Sequence, residues 1–157
     1  MLPARQKFDS AAQEAYLNLW RSYDRLRALE DRLFSQWGLT AQQYNVLRLL
    51  QASAPDAVPT LSLSAKLVSR APDITRMLDR LESSGWIKRL RPANDRRTVL
   101  VAITDSGSQL LADLAAPLEE CHQAQLGHLS TPEIQTLCRL LRKARQPHEP
   151  DGSSWKS

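Results

Sequence analysis

Nine basic side chains crowd one quarter of this chain. Between Ser62 and Val101 lie Lys66, Arg70, Arg76, Arg80, Lys88, Arg89, Arg91, Arg96 and Arg97, against four acids, Asp73, Asp79, Glu82 and Asp95. The segment therefore carries +5, while the other 117 of the 157 residues carry −1 between them. Bases at this density suit a polyanion, because each Lys or Arg brought near a phosphate releases a condensed counterion. A solvated basic surface has the same net charge, so the arrangement of these residues has to decide.

Other chemistries find no support. There is no nucleophile elbow, no Gly-rich phosphate loop and no carboxylate–His constellation, so no catalytic residue is expected. Cys121-His122 with His128 follows no familiar ligand spacing, and no metal or cofactor is expected. With 5 Gly and 2 Cys the chain is neither collagen-like nor a disulfide scaffold. Its 42% hydrophobic content can fill a core. No apolar run approaches the ~20 residues of a membrane span, so no membrane partner is expected. Residues Met1 to Phe8 lack the apolar stretch of a signal peptide, which points to a cytoplasmic protein with Cys121 and Cys138 reduced. Both thiols sit at apolar helical positions, where burial and inertness are the ordinary outcome.

The basic segment needs elements to position it. Ser10 to Gln36 reads as one long helix, with a Ser10/Gln13 capping box and a stripe of Tyr16, Leu19, Tyr23, Leu26, Leu29 and Leu33. At 1.5 Å per residue it would run about 40 Å, more than a small domain needs, so part of the stripe should bury against another chain. Thr40 with Gln43 opens a second helix through about Gln51. Ala52 to Pro59 reads as a loop. Thr60 caps a short helix, about Leu61 to Ser69. Ala71-Pro72-Asp73 opens the next, which ends at Gly85. Two short helices around a tight turn form a helix-turn-helix. Trp86 to Arg91 and Thr98 to Ile103 read as strands joined by a basic turn, the outline of a wing. A helix from Thr104 contains Pro117, which should bend or break it. Ser130 with Glu133 opens a last amphipathic helix, and Gln146 to Ser157 should be disordered.

On a helical wheel Ile74, Met77, Leu78 and Leu81 share one side. Pro72, Arg76, Asp79 and Ser83 lie opposite, flanked by Thr75 and Arg80. Arg, Thr and Ser there can hydrogen-bond phosphates or base edges in a major groove. Asp79 is the odd member. It could accept from a cytosine amino group, but holding Arg76 or Arg80 in place is the better reading. At the turn of the hairpin, Arg96 and Arg97 could enter a narrow minor groove, with Asp95 restraining the Arg97 guanidinium.

These residues carry a resemblance. Asp73-Ile74-Thr75-Arg76-Met77-Leu78-Asp79-Arg80-Leu81-Glu82 resembles the recognition helix of the MarR family of bacterial winged-helix transcription regulators. Gly85-Trp86-Ile87 with Arg89, Asn94-Asp95-Arg96-Arg97 and Val99-Leu100-Val101 resembles its wing. Thr104-Asp105-Ser106-Gly107 resembles the start of the following helix, and Leu39 to Leu47 the family's second helix. The match runs from about Ala15 to Arg142.

The resemblance implies a mainly α fold with a small β-hairpin wing: a winged helix-turn-helix plus a helical dimerisation region. Residues 8–38 and 108–146 would form the dimerisation region. Residues 39–107 would form the DNA-binding domain, with the helix-turn-helix over 61–84 and the wing over 86–104, and 147–157 a disordered tail. The resemblance further implies a homodimer that binds double-stranded DNA at a pseudo-palindromic operator and represses transcription until a small aromatic or anionic ligand releases it. The recognition helix would present Pro72, Asp73, Thr75, Arg76, Asp79 and Arg80, and the wing Asp95, Arg96 and Arg97, with Arg97 in the minor groove. Lys66, Arg70, Lys88, Arg89 and Arg91 would meet phosphates. Trp20, Tyr23, Tyr44 and Arg48 would line the effector pocket, although each aromatic there could equally be core or interface. A non-specific architectural DNA binder is the alternative.

Overall fold

The computed structural model describes residues 8–69 and 73–156. Nine elements follow in order: α1 (Ala11–Gln36), α2 (Ala41–Ser53), β1 (Val58–Pro59), α3 (Thr60–Lys66), α4 (Ile74–Ser83), β2 (Ile87–Leu90), β3 (Leu100–Ile103), α5 (Asp105–Leu126) and α6 (Thr131–Arg145). One 3-10 turn, Gln146–His148, follows α6.

Side-chain caps set most helix starts. The Thr40 hydroxyl accepts from Gln43 N–H at 3.2 Å while Gln43 Oε1 accepts from Thr40 N–H at 2.9 Å, a complete capping box. Ser130 and Glu133 form another at the start of α6. At α1 the box is displaced. Ser10 accepts from Gln13 N–H, but the Gln13 side chain reaches back to the Asp9 N–H rather than to that of Ser10. Thr60 does not cap α3: it is the first helical residue, and its hydroxyl donates to the Val99 carbonyl at 3.2 Å. The helix ends at Lys66, short of Ser69, yet Leu67 still turns into the core.

The stretch read as a loop before Thr60 contributes a strand. Val58 pairs with Val101 and Pro59 with Leu100, so β1 and β2 flank β3 in an antiparallel sheet of order β1-β3-β2. Pro59 is tolerated there because an edge strand does not need every N–H. Pro117 leaves α5 unbroken. The carbonyl it frees belongs to exposed Asp113, where water can satisfy it, while buried Leu114 and Leu118 hold the helix on both sides. The tail beyond α6, expected to be disordered, folds back through turns. Arg145 pairs with Glu149 at 2.9 Å and lies over the Trp155 ring, and Lys156 pairs with Asp151.

The core centres on α2. Val46, Leu47 and Leu50 meet Phe34 of α1, Leu63 of α3, Leu78 and Leu81 of α4, Val101 of β3 and Leu114 of α5. Phe34 and Tyr44 stack with ring centroids 4.9 Å apart. α5 also lies along α1, where the Gln125 amide donates to the Leu26 carbonyl at 2.9 Å. The rest of α1 leaves its stripe open, with Tyr16 64% and Trp20 61% exposed and Leu19 and Tyr23 beside them. α6 buries none of its residues. Cys138 on α6 is accordingly exposed rather than buried, and Cys121 on α5 is half-buried.

One corner joins the lower lobe to α5. The Thr104 N–H donates to the Trp86 carbonyl at 3.0 Å. Its hydroxyl donates to the Gly85 carbonyl at 2.6 Å and accepts from Gly107 N–H at 3.1 Å. A Cβ on Gly107 would collide with the Trp86 carbonyl oxygen and the Ile103 side chain. Gly107→Ala should therefore lower stability by about 1–3 kcal/mol through overpacking, read as a fall in thermal unfolding midpoint against wild type.

Candidate nucleic-acid interface

The site is built by burying one side of α4. Met77, Leu78 and Leu81 are buried and Ile74 half-buried, which leaves Thr75, Arg76, Asp79, Arg80 and Ser83 facing outward. The Asp73 carboxylate accepts from Arg76 N–H at 3.0 Å and caps the helix, so α4 starts at Ile74. Pro72 and Arg70, expected in this interface, lie outside the described residues. At the other end Gly85 takes φ +77°, a left-handed conformation that only glycine adopts freely. Its N–H and that of Trp86 close on the Glu82 and Leu81 carbonyls. The chain leaving α3 is anchored to α2, where Asn45 accepts from Val68 N–H at 3.2 Å and Gln42 donates to the Ser69 hydroxyl at 3.3 Å.

Asp79 holds neither Arg76 nor Arg80. Its Oδ1 accepts from Arg89 Nη2 of β2 at 2.6 Å. Glu82 binds the same side chain, accepting from Nε at 2.9 Å and Nη2 at 2.6 Å, and also takes the Arg89 backbone N–H at 3.1 Å. Arg89, expected to touch phosphate, is thus committed inside the protein. Its hydrogen bonds hold the Glu82 carboxyl below the ordinary carboxylate range. The pair is therefore intact at neutral pH and is lost only as pH falls through that lowered value. Among the described residues no carboxylate pairs with Arg76, Arg80, Arg96 or Arg97.

The turn at the tip of the β2–β3 hairpin is organised by Asp95. One carboxylate oxygen accepts from Arg97 N–H at 3.0 Å and the other from the Thr98 hydroxyl. These bonds, Thr98 first, lower the Asp95 pKa. Asp95 thus shapes the backbone beneath Arg97 rather than gripping its guanidinium, and leaves that side chain exposed. Arg91 Nη1 donates to the Arg96 carbonyl at 3.5 Å. Lys66, Lys88, Arg91 and Arg96 are exposed. Glu82 and Thr98 carry much of this geometry and were not evident in the sequence, because their partners are set by the hairpin and the turn rather than by helical spacing.

The four residues expected to line an effector pocket are spread out. Trp20 and Tyr23 stand on the open face of α1, where Trp20 lies 6.2 Å from Tyr16 and Tyr23 lies 5.9 Å from the Arg27 guanidinium. Tyr44 stacks on Phe34, and burial, opposed by Arg48, raises its pKa. A cleft of about 620 Å³ lies elsewhere, between Leu39, Thr40 and Gln43 at the α1–α2 corner and Arg76 and Arg80 of α4. Burial, then Glu30, pushes the Cys121 thiol up, away from the reactive thiolate. Among the described residues no three His, Cys, Asp or Glu side chains gather as a metal would need, and no helix is long and apolar enough to cross a membrane.

Comparison with known proteins places this arrangement. The MarR family profile matches residues 39–99, which span α2 to the edge of β3. The multiple antibiotic resistance protein MarR of Salmonella typhimurium is 34% identical over 119 residues, covering 73% of this chain and 81% of its own length. A MarR transcription factor from Planctomyces limnophilus shares 51% identity and superposes with a TM-score of 0.70, covering 86% of this chain and 98% of that one. A cysteine-to-serine mutant of MarR from E. coli, complexed with operator DNA, superposes with a TM-score of 0.75 at 27% identity over 88% of this chain and 99% of that one. With the capped outward helix and the cationic hairpin turn, these likenesses settle the class of protein: the chain belongs to the MarR family, and it is a winged-helix, DNA-binding transcriptional regulator, not an enzyme.

Proposed function

We propose that this chain is a homodimeric repressor that reads a pseudo-palindromic operator in double-stranded DNA and is released by a small aromatic or anionic ligand. The observation that carries the reading is the pairing of two unneutralised cationic elements in one lobe, Arg76 and Arg80 on α4 and Arg96 and Arg97 on the hairpin turn. An outward helix of this size fits the major groove, and an exposed Arg on a protruding turn fits the adjacent minor groove. Thr75 and Arg76 would reach base edges, and Asp73 would stay a helix cap. Lys66, Lys88 and Arg91 would meet phosphates. A role on DNA assigns the protein to the cytoplasm.

A second copy is the partner that the open helices call for. Tyr16, Leu19, Trp20 and Tyr23 stand exposed on α1 and Leu140 on α6, which buries none of its residues, and apolar side chains grouped in this way mark a face that a partner covers. Two lobes would then present their recognition helices about 34 Å apart, one turn of duplex. Repression follows from the family resemblance. Ligand release would act on a pocket between the helical region and the winged helix that the partner copy completes, with Trp20, Tyr23, Tyr44 and Arg48 as lining residues. A ligand can empty the operator only through its differential affinity for the two helix spacings.

Selection from a random duplex pool should yield a site with two-fold symmetry and half-sites one turn apart, and an affinity 10³-fold or more above random DNA. Uniform affinity would favour an architectural binder. Arg97→Ala should cost about 1–3 kcal/mol on the selected site and reduce the salt slope by about one, and full affinity would remove the wing from the reading. Sedimentation equilibrium should report a dimer at micromolar concentration, and a stable lone subunit would overturn the two-fold arrangement.

A further inference from the structure

Arg89 is the least exposed partner in its cluster. Its side chain keeps 28% of its surface, against 53% for Asp79 and 38% for Glu82. Four hydrogen bonds tie this one residue of β2 to two carboxylates of α4, three of them to Glu82. The fork is planar, so a pair held through Nε and Nη2 fixes direction as well as distance. Glu82 sits one turn past Leu78 and directly after Leu81, both buried. A grip at this point sets the rotation of α4 about its own axis relative to the strand that leads into the hairpin turn.

The cluster also decides which charges the outward face presents. Asp79 lies three residues from Arg76, a spacing at which acid and base pair along a helix. Asp79 instead crosses to Arg89, and the other nearby acid, Asp73, is used as the cap. Arg76 and Arg80 are left without a carboxylate among the described residues. We infer that Arg89 is a positioning residue for DNA recognition: it touches no phosphate, orients α4 relative to the wing through Glu82, and draws Asp79 off Arg76. The inference rests on the operator-reading function proposed above.

The two possible roles of Arg89 give opposite signs in one experiment. Affinity for the selected operator and for random duplex is measured across a salt series for wild type, Glu82→Gln, Arg89→Ala, Arg89→Lys and Arg97→Ala, with thermal unfolding of each variant as the check on folding. Glu82→Gln keeps the shape and removes a negative charge from a DNA-facing helix, so charge alone would tighten binding. A positioning role instead weakens the selected site about tenfold and leaves random duplex within about twofold. Arg89→Ala should cut operator preference while keeping the wild-type salt slope, unlike Arg97→Ala. Arg89→Lys, which keeps the charge but lacks the fork, should not recover the preference. Tighter binding by Glu82→Gln, or a salt slope lowered by about one in Arg89→Ala with equal losses on both DNAs, overturns the inference. A wild-type chain with no preference among duplexes removes the function proposed above first, and this inference with it.

Discussion

The apolar side of α4 has to be buried, and the cationic face follows from where that burial points the rest of the helix. Met77, Leu78 and Leu81 have one place to go, the core built around Leu47 and Leu50 of α2. Once they are seated, Arg76 and Arg80 face outward, since each lies two positions past an inward residue, Ile74 and Leu78, and two positions along a helix turn to the opposite side. The sheet closes the same core through Ile87 and Val101, so the hairpin leaves the domain next to α4. The two cationic elements are thus held by one hydrophobic cluster. Changes in that cluster would reach DNA affinity through geometry, without altering a charge.

Acid placement completes the face. The basic segment contains four carboxylates, and each has an assigned protein partner. Asp73 caps α4, Asp79 and Glu82 hold Arg89, and Asp95 folds the hairpin turn. These acids are held by protein partners, while among the described residues no carboxylate pairs with Arg76, Arg80, Arg96 or Arg97.

Local signals were legible in the sequence, and non-local ones were not. Ser10, Thr40 and Ser130 mark helix starts because a cap is a contact over three residues, whereas Asp73, read with Pro72 as part of the first turn of α4, is its N-cap. Met77, Leu78 and Leu81 read correctly as one side of a helix from their spacing, and all three are buried. Val58–Pro59 did not read as a strand, since two residues cannot show alternation and Pro argues against pairing. Arg89 read as a free base because its acids sit seven and ten residues away, across a turn. The tail read as disordered because Pro, Gly and Ser dominate it, and the Arg145 contacts that fold it come from α6. Cys138 read as buried because its position on α6 is apolar, whereas the face it belongs to has no cover within one chain.

The corner at Thr104 has a mechanical meaning. Two hydrogen bonds from Thr104 and a contact at Gly107 too close for any Cβ join the start of α5 to the exit of α4. A Cβ at position 107 would have no room here, so this corner fixes the start of α5 close against the exit of α4. A shift in the bearing of α5 would enter the domain that carries α4 at this corner, through Thr104 and Gly107.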